Sequence, residues 1–124
     1  MAVMQSRDNR TFIAGESLSA AQFKFVTLES DGQVDLADSA GENAIGVCLA
    51  GAAAGAAVTV CVSGSVMVEA GGTIAAGAQI QTGADATALT AAAGDVVLGY
   101  AREAGVDGQI IEIEMIQGGN VVPA

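Results

Sequence analysis

Apolar and polar positions alternate along this chain in short bursts. Val58, Val60 and Val62 alternate with Thr59 and Cys61, and Ile111, Ile113 and Met115 with Glu112 and Glu114. Val66 and Val68 continue the pattern, as do Phe23 and Phe25 around Lys24. A period of two marks a strand with one buried face, so Ile111, Ile113 and Met115 are expected inside and Glu112 and Glu114 in water. Lys24 reads as a solvent-facing strand residue. Turn signals bound each burst: Asp31-Gly32, Gly71-Gly72 and Asp107-Gly108, the last placed as a hairpin turn between YARE and QIIEIEM. Helical signal is poor. The alanine-rich segments have the propensity, but glycine interrupts them and no apolar stripe lasts three turns. One short helical turn near Ala86–Ala93 is the best remaining candidate.

The pattern occurs twice. GENAIGVCLAGAAAGAAVTVCV from Gly41 and GDVVLGYAREAGVDGQIIEIEM from Gly94 match at a constant spacing of 53 positions. That spacing puts Gly41, Gly46 and Gly55 on Gly94, Gly99 and Gly108, and Val58, Val60 and Val62 on Ile111, Ile113 and Met115. Upstream, AGESLSAAQF from Ala14 resembles AGGTIAAGAQI from Ala70, aligned with one inserted residue near Ala78. The expectation is one antiparallel β-domain over 12–124, with related halves at about 14–69 and 70–118. It is a barrel or sandwich of about eight short strands, preceded by an extended arm over 1–11. The repeat also bears on the uncharged run from Asn43 to Val68, long enough to cross a bilayer. Its second copy carries Arg102, Glu103, Asp107, Glu112 and Glu114, so a fold that uses both copies alike keeps both out of lipid.

Composition sharpens this reading. Large apolar residues are mostly Leu, Ile, Val and Met, with three Phe, one Tyr and no Trp. Small residues separate them, as suits thin strands whose backbones approach closely. The net charge of −10 disfavours a nucleic-acid partner. Three of the four basic residues, Arg7, Arg10 and Lys24, precede a strongly acidic body. Beside a chance scatter of solvated charges, that asymmetry admits an N-terminal arm docking on an acidic neighbour such as the next subunit. Cys48 and Cys61 are too few for a disulfide scaffold and read as buried thiols on neighbouring strands. The start, MAVMQSRDNRTF, has no apolar signal segment, which points to synthesis in the cytoplasm.

Candidate chemistry is sparse. The chain has no histidine, which removes the commonest general base and metal ligand and any Ser-His-Asp or Cys-His site. No phosphate-binding loop with its lysine occurs. Asp31, Asp35, Asp38 and Glu42 fail calcium-loop spacing, because Gly32 directly follows the first Asp, and read as a solvated loop. Metal at a subunit contact stays open. Glu112 and Glu114 share a strand face, but Tyr100 is the sole Tyr or Trp that could make a sugar-stacking platform. Lys24 raises a biotinyl or lipoyl carrier domain, a small barrel of two halves with one modified lysine, but Phe23-Lys24-Phe25 lacks the flanking residues of that motif. No catalytic, cofactor-binding or metal-binding residue is assigned.

AGESLSAAQFKFVTL, ENAIGVCLAGAAAGAAVTVCVSGSVMV and VLGYAREAGVDGQIIEIEMI together resemble the capsid cement, or head decoration, proteins of tailed phages, over Phe12 to Ile116. The resemblance implies a small β-tulip-like domain without an active site or cofactor. Its partners would be the major capsid protein and other copies of itself, a trimer ahead of a dimer. It would sit on the outer surface of the expanded head and resist internal DNA pressure. Within the arm, Arg7, Arg10 and Phe12 are the expected capsid contacts. The alternatives are a non-catalytic β module of a tail, a baseplate or an enzyme's accessory domain, and the carrier domain.

Overall fold

The computed structural model describes residues 6–116 and 121–122, with side chains described from residue 8. Nine strands form: β1 (Ser6–Ile13), β2 (Phe25–Leu28), β3 (Val34–Leu36), β4 (Gly46–Cys48), β5 (Ala57–Glu69), β6 (Gln79–Thr82), β7 (Ala88–Thr90), β8 (Gly99–Ala101) and β9 (Ile110–Met115). All strand pairs are antiparallel and belong to one curled sheet, in the order β3-β2-β4-β5-β9-β8-β6-β7 with β1 beside β5. The described residues contain no helix.

The sheet is one five-strand unit used twice. In the first half Val47 faces Cys61 and Cys48 faces Val60; in the second Tyr100 faces Glu114 and Ala101 faces Ile113, the same register 53 residues on. β1 against β5, with Phe12 opposite Val58, repeats as β5 against β9, with Val68 opposite Ile111. The 13-residue β5 is therefore the last strand of one half and the first of the next. Gly64, next to its middle, has φ 92° and belongs to both ladders, facing Ser6 and Met115. The parallel bridges Ala14–Val34 and Ala70–Ala88 also correspond.

The halves match in backbone even where they differ in residue. Phe23 donates its N–H to Cys48 O as Gly77 does to Ala101 O, which makes Phe23 the counterpart of Gly77. Between the Ala14 and Ala70 positions and these two, the first copy is two residues longer, rather than one shorter as expected. Left-handed residues pair up across the repeat: Phe23 with Gly77, Gly32 with Ala86, Gly41 with Gly94, and Gly55 with Gly108. Each half needs the left-handed conformation at the same four places. Glycine supplies it in six, and Phe23 (φ 64°) and Ala86 (φ 68°) are held there by their surroundings. Gly32 has φ +83° and open space where a Cβ would lie, so Gly32→Ala tests conformation alone. It is expected to fold and to lose about 1 kcal/mol in urea denaturation.

Two features differ from the sequence pattern for this reason. No helical turn forms at 86–93: Ala86 is left-handed, and Ala88–Thr90 pairs with β6. Phe23 and Lys24 lie in a turn before β2 rather than in a strand; Lys24 is half-buried, with its N–H on Ala21 O and its carbonyl accepting from Cys48 N–H. Asp107-Gly108 does turn the chain, but within a longer connection between β8 and β9 rather than as a two-residue hairpin. The 1–11 segment is also not separate from the domain. From Ser6 on it is β1, laddered along β5, whereas residues 1–5 lie outside the described residues.

Two apolar cores result. The inner face of the first half gathers Leu18, Val26, Val34, Cys48, Val58, Val60 and Val62, with Phe12 and Ile45 partly buried against them. The inner face of the second half gathers the corresponding Ile74, Ile80, Ala88, Ala101, Ile111, Ile113 and Met115, joined by Val66, Val68 and Leu98. This second core also contains Phe25, Ala37, Ala44, Val47 and Cys61, which come from the back of the first half. The halves therefore stack back to front, and the back of the first half closes the core of the second. Bonds from Phe25 N–H to Ala86 O, Glu69 N–H to Phe23 O and Gly41 N–H to Thr82 O cross the same junction. At the back of the second half the equivalents of Phe25, Val47 and Cys61 are Gln79, Tyr100 and Glu114, all exposed.

Candidate interaction surface

Among the described residues, stacking leaves the front of the first half uncovered. Its counterpart in the second half, around Val66, Val68, Leu98 and Met115, is closed by the first half's back. Here instead an open cleft of about 320 Å³ is lined by Asp8, Arg10, Phe12, Ile45 and Val62. β1 places Asp8, Arg10 and Phe12 on one face, since successive side chains of a strand alternate. Phe12 lies half-buried against the first core. Arg10 is exposed and grips Asp8, with Nη2 2.9 Å from Oδ2 and Nε 3.2 Å from both carboxylate oxygens. That hydrogen bond and the charge beside it raise the pKa of the guanidinium above its ordinary value, so it is cationic at any working pH. Of the three residues singled out in the sequence, the structure brings Arg10 and Phe12 together at this cleft. The Arg7 side chain lies outside the described ones. Ile45 and Val62 had no sequence signal as cleft residues, because their place at its floor depends on what the stacking leaves open.

The back of the second half is the other surface with mixed character. Tyr100 is 40% exposed and pairs across the ladder with exposed Glu114. Glu112 corrects the simple alternation: it is only 4% exposed, covered by Arg102, whose Nη1 lies 2.7 Å from Glu112 Oε2. Glu103 accepts the Glu112 N–H at 3.0 Å. Two carboxylates on one strand face thus become one buried and one exposed charge, both paired with Arg102, whose Nη1 also lies 3.9 Å from Glu114 Oε1.

A second cleft, of about 370 Å³, is acidic and lies between the halves, lined by Glu16, Glu29, Asp35, Asp38, Glu42 and Asp85 among others. Most of these carboxylates serve local structure. Glu16 accepts Leu36 N–H, Glu42 accepts Asp38 and Ser39 N–H, and Glu29 accepts the Thr27 hydroxyl. The Thr87 hydroxyl bond is the main cause that lowers the Asp85 pKa. Asp35 Oδ1 is sheltered and has no hydrogen-bond partner. Burial first, then Glu16, Glu29, Asp31 and Asp38, raises its pKa above the ordinary carboxylate value. Among the described residues no three carboxylate or cysteine side chains are grouped to hold a metal.

The Asp35 shift has a definite sign. A carboxyl whose folded pKa exceeds its unfolded one binds more protons when folded, so stability falls as pH rises from the ordinary carboxylate range through the raised value. Asp35→Asn is expected to be more stable than the parent at neutral pH, with the gap closing on acidification. Parallel urea titrations from pH 4 to 7 measure it, about the range where such groups titrate; a constant gap across that range sinks the assignment.

Cys48 and Cys61 are both buried and free. Though on adjacent strands, they enter opposite cores, so they do not face each other. Each thiol donates to a nearby carbonyl, Cys48 to Ala50 and Cys61 to Ser63, and burial pushes both thiol pKa values up. Such thiols are poor nucleophiles.

Comparison with known proteins agrees with this geometry. No curated protein matches the chain. Among solved structures, the N base of the head fiber gp8.5 of bacteriophage phi29 superposes with a TM-score of 0.71 at 20% identity, covering 91% of this chain and 97% of that one. At that identity the likeness is one of fold. A family model described as phage cement protein matches residues 4–114, from before β1 almost to the end of β9. The chain therefore belongs to the phage cement protein family and is a structural protein of a phage capsid.

Proposed function

We propose that this protein decorates the outer surface of the expanded phage head and stabilises it against internal DNA pressure, binding the major capsid protein and acting without catalysis or cofactor. The observation that carries this reading is the family match over residues 4–114, which takes in both halves of the repeat. The fold likeness to the base of another phage's head fiber supports a place on the head. The physics is mass action: a ligand that binds only the expanded lattice stabilises it by its binding free energy, multiplied over every site. The N-terminal segment, including Arg7, is the proposed contact with the shell, and copies associate, a trimer ahead of a dimer.

Co-sedimentation of the purified protein with compact and expanded heads of the source phage tests this. Saturable binding to expanded heads alone, with a higher rupture temperature, is the expected result. Binding to neither form overturns it and directs the search to tail or baseplate. Intact mass of the protein from its host tests the carrier alternative, which requires an added biotin or lipoate on Lys24.

A further inference from the structure

We propose that Val121 and Val122 cap the stack, doing for the second half what β6 does for the first. A fold built from repeats has to satisfy the backbone groups that one unit offers to the next. In the first half such a group is the Gly41 N–H, and its acceptor is the carbonyl of Thr82, the last residue of β6, at 2.9 Å. Gly94 is the counterpart of Gly41 and is left-handed in the same way, with φ 86° against 79°. The loops around them match: Glu42 N–H bonds Ser39 O as Asp95 N–H bonds Ala92 O. Among the described residues no third half follows β9, yet the Gly94 N–H has an acceptor. It donates to Val122 O, also at 2.9 Å, and Val122 N–H donates to Asp95 O at 3.0 Å. Val121 completes an antiparallel bridge with Val96.

The cap is made of backbone, and it is narrow. A Cβ at Gly41 would overlap the Asp95 carboxylate, whereas one at Gly94 would meet nothing within 4 Å. Two residues cover the edge at 94–96 and leave the rest of that back to Gln79, Tyr100 and Glu114, which are exposed. The cap also reaches the junction between the halves. Val96 N–H donates to Gly41 O at 3.0 Å, while Gly41 N–H donates to Thr82 O. Gly41 is thus held on one side by β6 and on the other by the segment that Val122 fixes. A residue far from the cap in the chain is tied to it through one intermediate stretch. The proposal concerns how the fold is closed and stands apart from capsid binding.

Amide hydrogen exchange on the full chain tests the cap, with Val122→Pro and Val122→Ala as variants. Proline removes the N–H that bonds Asp95 O, whereas alanine keeps both backbone bonds. The Gly94 amide is expected to be protected in the parent and in Val122→Ala. In Val122→Pro it is expected to exchange about tenfold faster or more, and the Gly41 amide to quicken with it. The amides of Val60 and Ile113, in β5 and β9, are expected to keep their protection in all three chains, which shows that the sheet is intact. A Gly94 amide that exchanges like an unstructured one in the parent overturns the proposal. So does one whose protection survives Val122→Pro, or a loss of protection that extends to Val60 and Ile113, since a narrow cap does not hold the whole sheet. A Gly41 amide unmoved in Val122→Pro overturns the tie between cap and junction.

Discussion

Gly99→Val is expected to cost about 3 kcal/mol or more and to leave little folded protein at 37 °C. A Cβ at Gly99 would fall inside the van der Waals radius of Glu114 O, with Glu114 C and Met115 Cα close behind. Those atoms are backbone of β9, which is held on both sides by β5 and β8, so they cannot yield as a flexible side chain would. The first half makes the same demand: a Cβ at Gly46 meets Cys61 O, the equivalent atom 53 residues earlier. Gly46→Val should therefore fail in the same way. The contrast with Gly32→Ala, which meets nothing, separates steric exclusion from conformational cost. Soluble yield and urea midpoints for the three variants check the ranking; a Gly99→Val chain within about 1 kcal/mol of the parent would contradict the close approach of β8 to β9.

Phe25→Ala is expected to lose about 4 kcal/mol, in the range for deleting a fully buried phenyl group. Phe25 is 0% exposed and is the largest fully buried side chain in the core that joins the halves. Its removal leaves a cavity where the back of the first half meets the front of the second. Domains of this kind have roughly 5–15 kcal/mol in total, so the variant should be close to unfolding. Leu18→Ala, which opens the core of the first half alone, is a useful comparison at about 3 kcal/mol. Denaturant midpoints with unchanged m-values measure both. If Phe25→Ala unfolds in two steps, the halves are thermodynamically separate units; a single transition is expected, because β5 belongs to both.

The local rules were legible in the chain and the relation between layers was not. Alternation at Val58–Val62 and Ile111–Met115 correctly gave strands with their inner faces, because a strand's side-chain direction depends only on position parity. The spacing of 53 correctly gave equivalent registers, because duplicated turn residues impose duplicated backbone. Paired left-handed positions were partly visible as glycines, and hidden where Phe23 and Ala86 adopt the conformation under tertiary constraint. Alanine propensity misled at 86–93, since pairing with β6 outweighs a preference worth tenths of a kcal/mol per residue. β1 was hidden because Ser6–Thr11 has no apolar alternation; its partner strand lies about fifty residues away. Parity alone put Glu112 in water, whereas Arg102 and Glu103, brought over it by the β8–β9 connection, let it be buried. What faces what across the stack was beyond any local pattern. Phe25 and Gln79, or Cys61 and Glu114, occupy the same place in the repeat, and only the tertiary arrangement decides that one of each pair is core and the other surface. The all-β class and its twofold plan thus follow from short-range periodicity. The two cores and, among the described residues, the uncovered front and the exposed back follow from how one half lies on the other, which depends on contacts between residues far apart in the chain.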